Sequence, residues 1–274
     1  MISYLSSLLF GLAVSLGVVS ASFLLWKKAK KKDLDIELIF DWSLVLTAAF
    51  LIFGRLTYIL ENFSLFAPDI FRWIHLVRYP GISGSGGFLG MIVVSFFFFR
   101  LKKTNLWPYL DALVVPLLYG FFFVQVGCLI NGCTQGTLSK TPSFLSFLKV
   151  RDFFHPVIIY SLILTTIMIS LFNRIGSDFV KPLKKFYLEE KLPFKADGLF
   201  FLFFLILFSL ANLALAIFTV NTIYLNGVNS RVIYFSLTAL ISLILAVQKI
   251  GPKNLINLVR FVGRKKRTKN DKNP

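Results

Sequence analysis

Residues 198–220 read GLFFLFFLILFSLANLALAIFTV, a run of apolar and small residues without one charged side chain. A helix of about 20 such residues spans the ~30 Å hydrocarbon core of a bilayer. Because lipid offers no hydrogen-bond partners, the backbone in such a segment must pair within the segment itself. The run is also too long and too continuously apolar for a strand of a membrane β-barrel. It therefore predicts a transmembrane helix.

Six more runs of this kind occur along the chain, and together they decide the fold class. We place the seven spans at residues 4–26, 38–60, 82–100, 107–130, 153–172, 198–220 and 231–249. The composition agrees, because 56% of the residues are hydrophobic and only 16% are charged, more apolar surface than a soluble domain of 274 residues can bury. The first residues are apolar without a basic region, which favours a span over a removed signal peptide. The sequence predicts an all-α integral membrane protein with seven transmembrane helices.

The basic residues predict how these helices are oriented. Of the 30 Lys and Arg residues, 23 lie in the links that follow spans one, three, five and seven. The positive-inside rule places those links in the cytoplasm, so we expect the N-terminus outside and the C-terminus in the cytoplasm. The charges form short clusters between apolar runs, so the net charge of +17 does not predict nucleic-acid binding. Seven basic residues lie on or near the outer side: Arg55, Arg72, Arg78, Lys140, Lys149, Arg151 and Arg231.

The chain reads as one membrane domain, residues 1–262, followed by a basic tail, residues 263–274. We expect the tail to be cytoplasmic and disordered, and to contact anionic lipid. Residues 61–80 and 131–152 mix polar and apolar residues without a full span. They predict short interfacial elements on the outer side.

Several polar residues within or beside the spans have two interpretations. Arg55 lies in the run LIFGRLTYILEN, where it either snorkels to the outer headgroups or points into the bundle. Asp41 and Asp111 begin spans two and four, where we expect each to cap its own helix. Cys128 and Cys133 are interpreted as small packed side chains, since a disulfide between them requires the helix to end between them. With only two histidines in the chain, a His-rich metal site is excluded.

Three unusual segments converge on the outer ends of the spans. They are the glycine-rich run Gly81–Gly90, the segment Gly127–Gly136 and the segment Arg151–Tyr160. Glycines at a helix end either permit close helix packing or expose backbone N–H groups to an anion. This convergence predicts a site that acts on lipid headgroups or on a substrate at the outer surface.

At these residues the sequence resembles the prolipoprotein diacylglyceryl transferase family over nearly its whole length. Those enzymes move a diacylglyceryl group from phosphatidylglycerol to the lipobox cysteine of a bacterial preprolipoprotein. The matching motifs are Gly54-Arg55 with Tyr58, the run Gly81 to Gly90, Asp111 with Pro116, the segment Val124 to Gly136 with its Asn131-Gly132 step, and His155-Pro156 with Tyr160.

The sequence also departs from the family pattern at several polar positions. Ser85 stands where the family has a histidine, and Gln125 where its signature has an arginine. The Gln and Glu of the family's histidine motif are Ile158 and Ser161. The Arg-x-x-x-Glu-x-x-Arg pattern at the end of span six is represented by Asn212, Ala216 and Thr219. Arginine holds a phosphate bidentately, whereas glutamine and asparagine carry no charge.

The resemblance implies a transferase of the bacterial inner membrane that needs no metal or other cofactor, with phosphatidylglycerol and a preprolipoprotein signal peptide as partners. It implies that Arg55 and the Gly86-Gly87 backbone hold the phosphate, while Gln125, Asn131, Gly132 and Asn212 bind and orient the lipid. His155 then accepts the thiol proton with Tyr160 bracing the site, since Ser85 is a poor base and His75 the less favoured alternative. A second hypothesis is a non-catalytic relative that binds lipid or a protein partner on the same fold. A transporter with a midplane site fits less well.

Overall fold

The computed structural model describes residues 2–67, 71–74, 79, 81–133, 136–137, 155–176, 197–220, 224–225 and 228–251. Within these residues the chain is helical apart from one short hairpin. The long helices are α1 (Ile2–Lys31), α2 (Ile36–Glu61), α5 (Gly84–Leu101), α6 (Trp107–Asn131), α7 (Val157–Ile175), α8 (Leu199–Ala216) and α9 (Ser230–Ile250). Two single-turn helices, α3 (Phe63–Phe66) and α4 (Phe71–Ile74), follow α2. The hairpin pairs β1 (Tyr224–Leu225) with β2 (Val228–Asn229) between α8 and α9.

All seven predicted spans are confirmed as helices, and each of the seven is long and apolar enough to cross a membrane. The predicted bounds are close to those observed, with the largest difference at the end of α1. That helix continues through Lys31 rather than ending at residue 26. Lysine is a good helix former whose long side chain reaches water from a helix end, so the helix need not stop where its apolar run stops. The protein is therefore a multi-pass membrane protein.

One end of the bundle, called here the basic end, contains the first residues of α2, α6 and α8 and the last residues of α1, α5, α7 and α9. Its caps differ from those predicted. Asp35 caps α2 by accepting from the N–H groups of Glu37 and Leu38 at 3.0 and 3.2 Å. Asp41, predicted to cap α2, lies in the helix and instead pairs with Lys102 at 3.5 Å. The prediction for Asp41 is wrong because the helix begins one turn earlier.

Asp111 also caps a helix, although not its own. Its carboxylate accepts from the N–H of Gly198 at 2.7 Å and from the N–H of Phe201 at 2.8 Å. These N–H groups belong to the amino-terminal turn of α8, so Asp111 fastens α6 to α8 by neutralising that helix end. Lys249 in α9 donates to the carbonyl of Asp197, just before this turn, and its ammonium lies 3.5 Å from the centre of the Trp107 ring in α6.

Small residues set the distance between the helices of two pairs. Gly17 of α1 lies against Gly120 of α6, where a Cβ on Gly17 would come within 2.9 Å of the Gly120 carbonyl oxygen. In α5, a Cβ on Gly87 would lie 2.9 Å from the backbone oxygen of Phe50 in α2. Such close approach is typical of membrane helices, where van der Waals contact rather than the hydrophobic effect drives association.

The opposite end of the bundle, called here the polar end, contains the last residues of α2, α6 and α8 and the first residues of α5, α7 and α9. The short helices α3 and α4 lie here, in the segment 61–80 that was predicted to be interfacial. Residues 138–152 of the second predicted interfacial segment, and the basic tail 263–274, lie outside the described residues. The predicted placement of the polar end outside the cell remains a prediction.

Four phenylalanines form an aromatic floor inside the bundle, about one turn from the polar-end starts of α5 and α9 and two to three turns from the polar-end terminations of α8 and α6. The ring of Phe208 in α8 lies 5.4 Å from the ring of Phe88, 5.4 Å from that of Phe121 and 6.1 Å from that of Phe235. These rings come from α5, α6 and α9, so four helices meet at Phe208. Pairs of this kind contribute about 0.5–1.5 kcal/mol beyond the apolar area that they bury.

Candidate functional site

Gln125 and Ser161 join α6 to α7 near the polar end. The Gln125 Nε2 atom donates to the Ser161 hydroxyl at 2.6 Å. Gln125 is 4% exposed, and its Oε1 atom has no hydrogen-bond partner among the described residues. Exchanging the amide N and O would only move the unpaired atom from Oε1 to Nε2. A buried, unpaired amide atom costs about 1–3 kcal/mol, so it marks a place where a bound polar group would be stabilised.

His155 lies at the start of α7 within an aromatic group of three rings. Its imidazole centre is 5.1 Å from the Phe218 ring and 6.4 Å from the Tyr160 ring, and the Tyr160 and Phe218 rings are 6.0 Å apart. The backbone holds this arrangement, because the His155 N–H donates to the Thr137 carbonyl at 3.0 Å and the Thr137 N–H donates to the Phe218 carbonyl at 2.8 Å. The structure therefore brings the rings of His155 and Tyr160 together, and their catalytic roles remain a prediction.

Arg55 points into the bundle, which resolves its two interpretations in favour of burial, since only 7% of the residue is exposed. Its guanidinium donates from Nε to the Trp73 carbonyl at 3.0 Å, from Nη1 to the Gly81 carbonyl at 3.0 Å and from Nη2 to the Arg72 carbonyl at 2.8 Å. The Phe66 ring lies 5.1 Å away. Arg55 thus fastens α4 and the start of the glycine run to α2.

Ser85 belongs to a small hydrogen-bonded group at the amino end of α5. Its hydroxyl lies 3.1 Å from the Ser83 hydroxyl, which in turn donates to the Glu61 carboxylate at 3.4 Å. Glu61, the last residue of α2, also interacts electrostatically with Arg231 and Tyr234 at the start of α9. The Glu61 carboxylate therefore contacts the amino end of α5 and acts electrostatically on the first residues of α9.

Gly86 and Gly87 lie in the face of α5 that packs on α2. A Cβ on Gly86 would overlap the Thr57 side chain, and one on Gly87 would lie 2.6 Å from the Phe50 ring. The Gly87 N–H donates to the Ser83 carbonyl at 3.0 Å. The structure gives both glycines a packing role, and their predicted phosphate contact remains a prediction.

Asn131 and Gly132 end α6 and are exposed. Gly132 has a φ of 68°, a left-handed conformation that favours glycine, and its N–H donates to the Cys128 carbonyl at 2.8 Å. The Cys133 N–H donates to the same carbonyl at 3.2 Å. The helix therefore does end between Cys128 and Cys133, which are both free thiols. The hydrogen bond from the Cys128 thiol lowers the pKa of the exposed Cys133 thiol below its ordinary value.

The polar side chains of four helices share one level above the aromatic floor. Ser85 precedes Phe88 by three residues, and Gln125 and Asn212 follow Phe121 and Phe208 by four. Residues three or four apart lie on the same helix face, so each polar residue lies about 5 Å further toward the polar end than its phenylalanine. Asn212 donates to the Phe208 carbonyl at 2.8 Å. By the same rule Arg231, four residues before Phe235, lies at this level.

Sequence reasoning found most of these positions, and it missed three relationships. Ser161 was recognised as a departure but not as the partner of Gln125. Ser83 and the contact of Glu61 with Arg231 were also missed, although Arg231 is one of the few basic residues that do not follow the positive-inside pattern, which is a usable signal. His75, Arg78 and Arg151 lie outside the described residues. Among those that are described, no group of three or more His, Cys, Asp or Glu side chains could hold a metal ion.

Comparison with known proteins gives one consistent family. A sequence model of the family "prolipoprotein diacylglyceryl transferase" matches residues 2–251. Among similar curated proteins, the phosphatidylglycerol–prolipoprotein diacylglyceryl transferase of Fusobacterium nucleatum is 31% identical over 121 residues, which cover 44% of this chain and 42% of that protein.

Two further relatives carry the same name. The protein of Tropheryma whipplei is 24% identical over 169 residues, covering 59% of this chain and 58% of the relative. The protein of Clostridium tetani is 24% identical over 159 residues, covering 56% of this chain and 62% of the relative. The chain thus spans about half the length of the curated relatives that it matches.

Proposed function

Because the chain belongs to the prolipoprotein diacylglyceryl transferase family, we propose that it transfers a diacylglyceryl group from phosphatidylglycerol to the lipobox cysteine of a preprolipoprotein. The reaction takes place at the polar end, which faces the outer leaflet of a bacterial cytoplasmic membrane. The positive-inside pattern supports this orientation, and the family match supports both substrates.

The proposed reaction is a displacement at carbon. The cysteine sulfur forms a bond to the terminal glycerol carbon of the diacylglyceryl group, and the bond between that carbon and the phosphate oxygen breaks. The oxygen keeps the bonding electron pair, so glycerol phosphate leaves, and the thiol proton passes to a base. The phosphodiester supplies the leaving group, and the reaction therefore balances without a metal or redox cofactor.

His155 is the proposed base. The thiolate is the reactive form of a cysteine, so a neighbouring imidazole that accepts its proton raises the rate. Tyr160 and Phe218 lie beside the imidazole in a group of three rings, and the contact with Thr137 fixes its backbone. Ser85 is proposed to donate a hydrogen bond to the reacting groups from the opposite helix.

The glycerol moiety is proposed to be bound by Gln125, Asn131, Gly132 and Asn212. The phosphate is proposed to be bound by Arg55 and the Gly86-Gly87 backbone. Gln125 has the strongest support, because its buried Oε1 lacks a partner within the described part of the chain and can accept from a glycerol hydroxyl. Arg55 uses three of its five N–H groups on backbone carbonyls, so its share in phosphate binding depends on the remaining two. The unpaired Gln125 atom, above the aromatic floor, is the single observation that carries the proposal.

A second function is supported by the same pair. Gln125 and Ser161 are neutral, and a site without charge on α6 and α7 suits binding of lipid or of a protein partner without turnover. This second function uses the same fold and the same lipid contacts, but no diacylglyceryl group is transferred.

The deciding experiment expresses the chain in bacterial cells depleted of their own transferase and measures, by mass spectrometry, whether a lipobox substrate gains a diacylglyceryl group. We expect modification by the wild type and its loss with His155→Ala. Thr166→Ala, an exposed position on the same helix, is the matched control and should remain active. If the wild-type protein is correctly inserted and modifies no substrate, the proposed transferase activity is refuted. Binding without turnover is then the remaining function.

A further inference from the structure

The polar level above the aromatic floor needs a cation if it is to bind a phosphodiester. Ser85, Gln125, Ser161 and Asn212 are all uncharged at neutral pH. Neutral donors bind a phosphate about half as strongly as charged ones. The guanidinium of Arg55 is already engaged by three backbone carbonyls. Another cation at this level would therefore carry much of the phosphate affinity.

Arg231 has the required position. It lies in the first turn of α9 and is exposed. Phe235, one turn further along α9, belongs to the aromatic floor through its contact with Phe208 at 6.1 Å. Arg231 therefore lies at the same level as Gln125 and Asn212, but on α9 rather than on α6 or α8.

Glu61 provides a negative charge that acts on Arg231. The two side chains interact electrostatically across the ends of α2 and α9. Glu61 is itself held, because it accepts from Ser83 at 3.4 Å while the Ser83 hydroxyl lies 3.1 Å from that of Ser85. The carboxylate thus links Arg231 to the amino end of α5, which is the other proposed wall of the site.

We propose that Arg231 binds the phosphate of an anionic phospholipid at the polar end, and that Glu61 positions its guanidinium. A guanidinium offers five N–H donors in a planar fork, so it can contact a carboxylate with one edge and a phosphate with another. The proposal rests on the proposed transferase function for the identity of the lipid. Arg231 itself lies outside the motifs that carry the family resemblance.

The first test uses the full-length protein in detergent with dihexanoyl phosphatidylglycerol and a lipobox peptide. Loss of a charge-assisted hydrogen bond costs about 1.5–3 kcal/mol, so Arg231→Gln should raise KM about 10- to 100-fold. Arg231→Lys keeps the charge but not the planar guanidinium. Its KM should lie between those of the wild type and Arg231→Gln. Arg100→Gln, an exposed arginine at the basic end, should leave KM unchanged. A wild-type KM in Arg231→Gln overturns the proposal.

Glu61 is tested as a positioning residue. Glu61→Gln should raise KM several-fold with kcat unchanged, and Glu61→Asp should restore most of the loss. An unchanged KM in Glu61→Gln refutes its role. If Arg231→Gln does not fold, Arg231→Lys tests the role of the arginine instead. Loss of the planar guanidinium alone should raise KM several-fold. An unchanged KM in Arg231→Lys overturns the proposal.

A binding measurement separates this proposal from the transferase function. Native mass spectrometry compares dihexanoyl phosphatidylglycerol with dihexanoylglycerol, which lacks the phosphate. The ratio of the two affinities should fall about 10- to 100-fold in Arg231→Gln, even if the wild type transfers nothing. That result supports the phosphate site while the transferase fails. A wild type that transfers, with an unchanged affinity ratio in Arg231→Gln, refutes the phosphate site alone.

Discussion

The side chains of Gln125 and Ser161 are in direct contact, with the amide nitrogen 2.6 Å from the hydroxyl oxygen. Both residues stand where the family pattern carries charged groups, arginine at the first position and glutamate at the second. The two positions touch in this fold, so a neutral pair stands here where the family pattern has a pair of opposite charges. Neither of these two positions then holds a buried charge without its partner, which is the condition under which such a loss is tolerated.

We therefore expect the two positions to be energetically coupled. Gln125→Arg alone places a charge in a buried site without a counter-ion and should destabilise the protein by about 3–5 kcal/mol. Adding Ser161→Glu should recover much of that loss. Unfolding of all four proteins of the cycle in one detergent measures the coupling, which should exceed about 1 kcal/mol. Additive effects would show that the two side chains do not act as a pair.

Asp111 is predicted to stabilise the bundle through α8. Asp111→Ala removes the acceptor for the N–H groups of Gly198 and Phe201 and should lower the free energy of unfolding by about 1–2 kcal/mol. Asp41→Ala is the control, because its contact with Lys102 is exposed and should contribute less than about 1 kcal/mol. Thermal unfolding in detergent compares the two. Equal losses would contradict a capping role for Asp111.

The glycines of α5 are predicted to differ in their tolerance of a methyl group. Gly86→Ala brings a Cβ into the Thr57 side chain and should separate α2 from α5, with a loss of about 1–3 kcal/mol. At Gly84 a Cβ meets nothing within 4 Å, so Gly84→Ala should be neutral or slightly stabilising. The two variants are compared by melting temperature. A stable Gly86→Ala protein would mean that the helix contact is looser than described.

Arg55 is predicted to be irreplaceable by lysine. Lysine keeps the charge but cannot reach three carbonyls with a planar fork, so Arg55→Lys should free the segment that contains α4 from α2. Limited proteolysis should then cleave between residues 62 and 81 faster than in the wild type. Arg100→Lys at the basic end serves as the comparison and should leave the cleavage rate unchanged.

Cys133 offers a test of orientation. Its thiol is exposed, and its lowered pKa raises the fraction of thiolate at neutral pH, so it should react readily with a membrane-impermeant maleimide. We expect labelling in intact cells, because the polar end is predicted to face outward. A cysteine placed at Lys102 in a Cys133→Ala protein should be labelled only after permeabilisation. The reverse result would invert the topology.

The spans could be predicted from sequence because their signal is local. A run such as residues 199–216 is apolar whatever its neighbours are, and lipid leaves helix as the only way to pair its backbone. Most of the predicted site residues were also recognised from a local signal, the short sequence motifs in which they lie. The relationships could not be predicted, because Asp111 caps a helix 87 residues away and Glu61 at the end of α2 acts electrostatically on Arg231 at the start of α9. Such contacts depend on which helices become neighbours, which hydropathy does not encode.

The aromatic floor has a consequence for how a lipid can lie in this protein. Rings from four helices close the centre of the bundle about one turn below the level of Gln125 and Arg231. A phospholipid whose headgroup occupies that level cannot send its acyl chains down through the middle. Its two tails must pass sideways between helices and stay in the surrounding bilayer. A substrate can then enter and leave by lateral diffusion, without being lifted out of the membrane.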